Sequence, residues 1–222
     1  MLIDIEGTDG SGKHTQTKML YEKLVKLGYK CKMISFPNYE SNSSALVKMF
    51  LAGELGDNAD CLNGYQASVL YAVDRLATMK QINCEDYDFV LFDRYTPSNM
   101  IHQSTRIKDK QELDYFLDWL EDFEYGKLNL PKPDRILFLD MPVEYSMQLA
   151  RARSELKNGQ TKDILEEDSS HLSKAYERAK YVADKFNWTT INCVDKKLKS
   201  VEEIHLDILT NLGLKWYIIK HY

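Results

Sequence analysis

The sequence predicts an α/β fold in which a mainly parallel, five-stranded sheet is flanked by helices, giving three layers. Three observations carry that expectation. Five short apolar runs, at residues 2–6, 31–36, 88–93, 136–139 and 189–194, alternate with longer stretches of helical period. Two of them, Phe89-Val90-Leu91-Phe92 and the run at 136–139, are nearly continuous, as strands covered on both faces are. No tight two-residue hairpin signal joins any pair, so the connections are expected to be helical crossovers, which return the chain parallel to itself.

Each element has its own signal. Residues 2–6 alternate briefly and stop at the glycine-rich segment 7–12. From Lys13 a helical period takes over, with Leu20, Leu24 and Leu27 on one face and Gly28 as its stop. The second strand ends at Pro37, and a short helix over 46–51 precedes a longer one carrying Tyr65, Val69, Val73, Leu76 and Met79. After the third strand, Asp109 and Glu112 resemble a capping box and open a helix with Leu113, Phe116, Leu117, Leu120 and Phe123 inward. Pro131 and Pro133 break the chain before the fourth strand. Helices around 143–156 and 164–186 follow, separated by the polar stretch 157–162 with Gly159. Beyond the fifth strand, Ser200 and Glu203 cap a helix holding Val201, Ile204, Ile208 and Leu212, stopped by Gly213. With no repeat, low-complexity tract or long linker, one domain over 1–222 is expected.

Composition narrows the function. A net charge of −5, from 29 basic and 34 acidic residues, gives the whole molecule no attraction for nucleic acid or an anionic membrane. Any polyanionic ligand must therefore meet a local concentration of Arg, Lys or backbone N–H groups. The cysteines Cys31, Cys61, Cys84 and Cys193 form no C-x-x-C pair and read as reduced thiols. The histidines show no paired zinc spacing. No secretory leader pattern and no bilayer-length apolar run is present, so the expected compartment is the cytoplasm, by exclusion.

Gly7-Thr8-Asp9-Gly10-Ser11-Gly12-Lys13 fits G-x-x-x-x-G-K between a strand and a helix, the setting of a phosphate-binding P-loop. Its glycines let backbone N–H groups turn inward around phosphate oxygens, and the helix that follows directs its positive end at the same anion. Lys13 adds a mobile charge for the β- and γ-phosphates of ATP. His14 stands where the full motif has Ser or Thr, whose hydroxyl ligates Mg²⁺. Thr15 is adjacent, but one helical position rotates a side chain by about 100°. Magnesium would then be held by water and phosphates, which it tolerates because it dehydrates reluctantly.

Further segments say what accepts the phosphoryl group. Ile5-Glu6-Gly7-Thr8-Asp9-Gly10-Ser11-Gly12-Lys13, Phe36-Pro37, Tyr71 with Arg75, Asp93-Arg94-Tyr95 with Ser98-Asn99, and Pro133-Asp134 with Leu137-Phe138-Leu139-Asp140 stand in order along the chain. This ordered set resembles the thymidylate kinase family, whose members have a P-loop NTPase fold and act on dTMP with ATP and Mg²⁺. The resemblance implies a role for each matched position. Tyr71 would stack on thymine, Arg75 would donate to a base carbonyl, and Asn99 would read the N3–H edge. Asp9 would accept from the deoxyribose 3′-hydroxyl, Arg94 would hold the acceptor phosphate, and Asp93 would ligate magnesium through water. His102 falls where the family places a ribose-facing ring. A homodimer is implied as well. Taken alone, Tyr71 reads as a core aromatic and Arg75 as a solvated helix residue, while His102 reads equally as a ribose contact or a packing residue. Tyr39 occupies a position near which the family commonly has Arg.

Arg151 and Arg153 precede the basic loop at 157–162, and Gly10 in the P-loop fits the bacterial class of the family, which carries its catalytic arginine in such a lid. A lid over 151–163 is thus expected to bring cations to the transferring phosphoryl group. Two rival readings stand beside this one: a P-loop kinase for another nucleotide or a nucleoside, and a non-catalytic nucleotide-binding protein.

Overall fold

The computed structural model describes residues 1–56, 61–155 and 164–214, the helical stretches 150–155 and 164–169 through their backbone. Its strands are β1 (Leu2–Glu6), β2 (Cys31–Ser35), β3 (Phe89–Asp93), β4 (Arg135–Asp140) and β5 (Thr189–Asn192). They form one sheet in the order β2-β3-β1-β4-β5, and every neighbouring pair is parallel. The expected α/β fold class holds. The helices are α1 (Lys13–Lys26), α2 (Ala45–Leu51), α3 (Gly64–Met79), α4 (Thr96–His102), α5 (Lys110–Glu121), α6 (Val143–Glu155), α7 (Ile164–Lys185) and α8 (Val201–Asn211).

Side-chain alternation sorts the sheet into two faces. Ile3, Ile5, Leu91, Leu137, Leu139 and Ile191 pack with Leu20 and Leu24 of α1 and Ile204 and Ile208 of α8. Burying a leucine such as Leu20 or Leu24 contributes roughly 2 kcal/mol. On the other face, Phe138 joins Leu113, Phe116 and Leu117 of α5 with Ala175 and Ala179 of α7, while Val90 and Phe92 join Phe36 and Tyr95. Asp4 and Glu6, which alternate with the isoleucines of β1, are completely buried on that second side.

Two expected strands end before their apolar runs do, and the third starts at Phe89 rather than 88. The second ends at Ser35, before a cis Phe36–Pro37 peptide. The fifth ends at Asn192, and Val194 makes an isolated antiparallel bridge to Leu198. The sequence also held elements it did not announce: α4, and a π-helical turn at Asp122–Lys127 that extends α5. Val69 and Val73 of α3 lie on its exposed side, and its buried side carries Ser68, Asp74, Arg75 and Thr78 instead.

The register fixes where a ligand can sit. β1 lies at the centre, with Ile5 level with Asp93 of β3 and with Leu137 of β4. The loops leaving β1 and β3 therefore emerge side by side at the carboxyl edge, where the strand order reverses. Crevices at such switch points are the ligand sites of open parallel sheets.

Candidate active site

Two glycines shape the loop between β1 and α1. Gly10 (φ +82°) and Gly12 (φ +87°) hold left-handed backbone that strains other residues. Gly10 is also pressed against α6, since a Cβ there would lie 2.5 Å from the Ser146 carbonyl oxygen. Gly12 is the N-cap of α1, and no side chain caps the helix. Its first N–H groups and the positive end of its dipole are thus left for an anion. Thr8 and Ser11 present buried hydroxyls without a protein partner among the described residues, which suits a loop that takes up phosphate oxygens. Lys13 Nζ donates to the Thr8 carbonyl at 3.1 Å and lies 3.4 Å from Asp9 Oδ1. Burial, helped by the nearby Arg94 charge, brings the Lys13 ammonium down from its usual 10.5 to about 8. Thr15 sits half-buried in the first turn of α1.

Arg94 follows β3 directly, with φ +67°, a conformation uncommon for a residue bearing a Cβ and recurrent at functional sites. Its guanidinium ion-pairs with Asp9, and its Nη1 donates to His102 Nε2 at 3.0 Å. Burial and the Arg94 charge push His102 from 6.5 down to about 3, so the ring is neutral near pH 7 and its Nε2 is the acceptor. Burial works to raise the Asp9 carboxyl, but the Arg94 and Lys13 charges outweigh it and hold the group below the usual carboxylate range. Asp93 Oδ2 lies 2.7 Å from His14 Nδ1 and 3.5 Å from Ser35 Oγ. The residue standing in the Ser/Thr position of the P-loop therefore reaches across to the carboxylate at the end of β3. Among the described residues no group of three or more His, Cys, Asp or Glu side chains is placed to cage a metal. The Asp93 carboxylate at the end of β3, beside the phosphate loop, fits a cation that keeps its waters, as Mg²⁺ does.

A cleft of about 710 Å³ opens next to Arg94. Asp9, Phe36, Pro37, Tyr71, Arg75, Arg94, Ser98, Asn99 and His102 contribute to its walls. Tyr71 is half-buried and borders this space rather than the core. Arg75 is 2% exposed, which corrects the picture of a solvated helix residue. Its Nε and Nη2 each donate to Glu124 at 2.7 Å, a bidentate pair that compensates the buried charge. Asn99 Nδ2 donates to the Ser68 carbonyl at 3.0 Å and to Glu124 Oε1 at 2.8 Å. Ser98 borders the cleft, but its hydroxyl donates to Glu6 Oε1 at 2.8 Å, and Glu6 also accepts from the Tyr95 N–H at 3.1 Å. Burial raises the Glu6 carboxyl against these bonds and the Arg94 and Lys13 charges. Together the two contacts clamp the start of α4.

The structure thus gathers the residues of the P-loop, Asp93, Arg94 and the cleft residues at one edge of the sheet. Arg151 and Arg153 lie on the last turns of α6, but their side chains and residues 156–163 of the lid are outside the described residues. Several lining residues went unread in the sequence. Gln103 and Arg106 also face the cleft, with Arg106 Nη1 donating to Gln103 Oε1 at 2.6 Å. They follow Asn99 and His102 by four positions each, a helical spacing that could have flagged them. Tyr39, 50% exposed, stands at the cleft where an arginine was expected, and His171 of α7 joins it. Glu6 was read only as part of the motif at 5–13, and Glu124 left no local signal, because their partners come from distant elements.

A phosphate loop at the switch point of a parallel sheet, with a nucleotide-sized cleft beside its lysine, defines a P-loop protein of the nucleoside monophosphate kinase class. Comparison with known proteins narrows the class. The family model for thymidylate kinase matches residues 5–208, and the chain belongs to that family. The thymidylate kinase of Mycobacterium tuberculosis is 32% identical over 172 residues, covering 76% of this chain and 79% of that protein. A probable thymidylate kinase of Methanocaldococcus jannaschii is 30% identical over 210 residues, with 94% of each chain covered. Another, from Thermococcus onnurineus, is 29% identical over 216 residues, covering 94% of this chain and 95% of its own. Among the described residues no helix is long and apolar enough to cross a membrane.

Proposed function

We propose that this chain transfers the γ-phosphoryl group of ATP to dTMP, giving dTDP. The observation that carries the reading is one cleft lined both by Asp9 and Arg94, beside the P-loop, and by Tyr71, Arg75 and Asn99. A nucleotide acceptor laid along it places its phosphate at Arg94, its 3′-hydroxyl against the Asp9 carboxylate and its base between Tyr71 and Asn99. An oxygen of the dTMP phosphate then attacks the γ-phosphorus, a new P–O bond forms, and the bond to the β-bridging oxygen breaks to release ADP. Lys13 and Arg94 offset the negative charge that gathers where two phosphates meet, and positioning does most of the remaining work. Asp93 would hold Mg²⁺ through water, and the bound ion would supply charge neutralisation at the nucleotide phosphates.

The same reading includes a basic lid over 151–163, with Arg151 and Arg153 as catalytic cations of the bacterial type. It also includes one domain over 1–222, a homodimer and a place in the cytoplasm. The exposed valines of α3, Val69 and Val73, offer apolar surface on the side of that helix away from the cleft.

A coupled ADP-release assay with ATP and Mg²⁺, run against dTMP, dUMP, dCMP, dGMP and AMP, tests the proposal. The expected outcome is rapid turnover of dTMP, weaker turnover of dUMP and none of the rest. Turnover confined to another monophosphate would keep the kinase and overturn the roles of Tyr71, Arg75 and Asn99. Silence with every acceptor, despite ATP binding, would leave a nucleotide-binding protein without transferase activity.

A further inference from the structure

Glu124 lies in the π-helical turn Asp122–Lys127, where the Leu128 N–H reaches back five residues to the Phe123 carbonyl at 2.9 Å. Turns of this width inside helices recur at functional sites. The Glu124 side chain is 0% exposed, and a carboxylate removed from water to that degree persists only with full compensation. It has that compensation. Oε1 accepts from Arg75 Nη2 at 2.7 Å and from Asn99 Nδ2 at 2.8 Å. Oε2 accepts from Arg75 Nε at 2.7 Å and from Thr96 Oγ1 at 2.9 Å.

These bonds dictate what the cleft can offer a ligand. Asn99 gives its amide nitrogen to two groups that only accept, the Ser68 carbonyl and the Glu124 carboxylate. Turning the amide over would set oxygen against oxygen at both contacts, so the amide oxygen is the atom left for the cleft. Arg75 is clamped through the Nε and Nη2 edge of its guanidinium, and Nη1 is the donor that Glu124 does not engage. One wall of the cleft therefore carries a fixed acceptor and a fixed cationic donor.

We infer that Glu124 sets the nucleobase selectivity of the cleft, as a positioning residue that locks the Asn99 amide oxygen and the Arg75 guanidinium against a 4-oxopyrimidine edge with N3–H and O4. The inference rests on the proposed dTMP site. A thymine edge presents a donor at N3 and an acceptor at O4, which complement the pair. A 4-aminopyrimidine presents an acceptor at N3 and a donor at C4, so it meets Asn99 oxygen to lone pair and Arg75 donor to donor. Rejection of this kind works by leaving buried polar groups unpaired, and it needs the wall groups to be unable to rotate. Glu124 supplies that restriction.

The test compares kcat/KM for dTMP and for 5-methyl-dCMP, which differ only at the N3 and C4 edge, in the wild type, Glu124→Gln and Glu124→Asp. A glutamine cannot accept from all four donors, and its own N–H₂ can donate to a flipped Asn99. The expected result for Glu124→Gln is a loss of about 100-fold for dTMP, mainly in KM, with 5-methyl-dCMP unchanged or improved. The selectivity ratio then falls at least about tenfold. Glu124→Asp keeps the charge that Arg75 requires but withdraws it by one methylene, so the ratio falls in the same direction. This variant decides the matter if melting curves show that Glu124→Gln does not fold. A folded variant that loses both activities equally, at the wild-type ratio, overturns the inference and makes Glu124 a structural residue only. Wild-type enzyme without dTMP turnover overturns the underlying dTMP reading, and the inference with it.

Discussion

In the proposed reaction Lys13 holds phosphate as an ammonium ion, yet the site brings it down to about 8 by burying it beside Arg94. In the free enzyme the charged fraction drops about tenfold per pH unit above that value. The expected pH profile follows directly: kcat/KM for ATP is flat near neutrality and falls as pH rises through about 8. With ATP saturating, bound phosphate adds negative charge beside Lys13, so kcat holds to higher pH. Asp9 raises the lysine, and Asp9→Asn should therefore move the fall in kcat/KM to lower pH. A wild-type kcat/KM that stays flat two units higher, to about pH 10, would show that Lys13 does not titrate in the free site. At this scale the P-loop was fully legible in the sequence, because one local turn dictates the spacing of Gly7, Gly12 and Lys13. The contact of His14 with Asp93 was not, since it joins residues 79 positions apart through the register of β1 and β3. Glu124 was hidden for the same reason, 49 positions from Arg75.

Periodicity recovered the helices that bury an apolar stripe; of those that face the site it found α3, partly through valines that lie outside, and missed α4. α1 and α8 show their leucines and isoleucines to the core at helical spacing, and both were placed closely. α3 buries Ser68, Asp74 and Arg75, since one of its sides forms the cleft wall, and its valines face outward. α4 is seven residues of Thr-Pro-Ser-Asn-Met-Ile-His, too short and too polar to show a period, and its start is fixed by Glu6 rather than by a stripe. α6 carries the arginines of the proposed lid. Its Ser146 carbonyl abuts Gly10, so the helix carrying Arg151 and Arg153 is anchored on the phosphate loop. At 1.5 Å per residue those arginines start only about 8–11 Å along the axis from that anchor. Arg151→Ala and Arg153→Ala are each expected to lower kcat by about 100-fold with KM for ATP within about threefold, as loss of a group that acts on transition-state charge does. If both variants keep wild-type kcat, the lid is not catalytic.

The whole fold was legible because helical crossovers leave a parallel sheet little choice, and five apolar runs count its strands. The central strand shows what that reading conceals. Its alternation of Ile3 and Ile5 with Asp4 and Glu6 looks like a strand with one wet face, but β1 is covered on both sides and both carboxyls are fully buried. Glu6 is repaid with bonds from Ser98 and Tyr95, whereas neither Asp4 oxygen has a partner among the described residues. Burial, with the neighbouring Glu6 and Asp93, raises the Asp4 carboxyl well above its usual 3.8. The native state then binds this proton more tightly than the unfolded chain does. By linkage, stability falls as pH rises above about 4, until the native carboxyl has also ionised. Asp4→Asn removes that titration while keeping the shape of the side chain. The variant should be more stable than the wild type at pH 8 by about 1–3 kcal/mol, a rise of several degrees in Tm for a chain of this length. The advantage should shrink as pH falls toward about 4 and below it, where Asp4 takes up its proton in both states. Thermal melts of both proteins at a series of pH values decide it. An Asp4→Asn protein that melts no higher at pH 8, or whose advantage does not widen with pH, would mean that Asp4 is held ionised and that its charge belongs to the site.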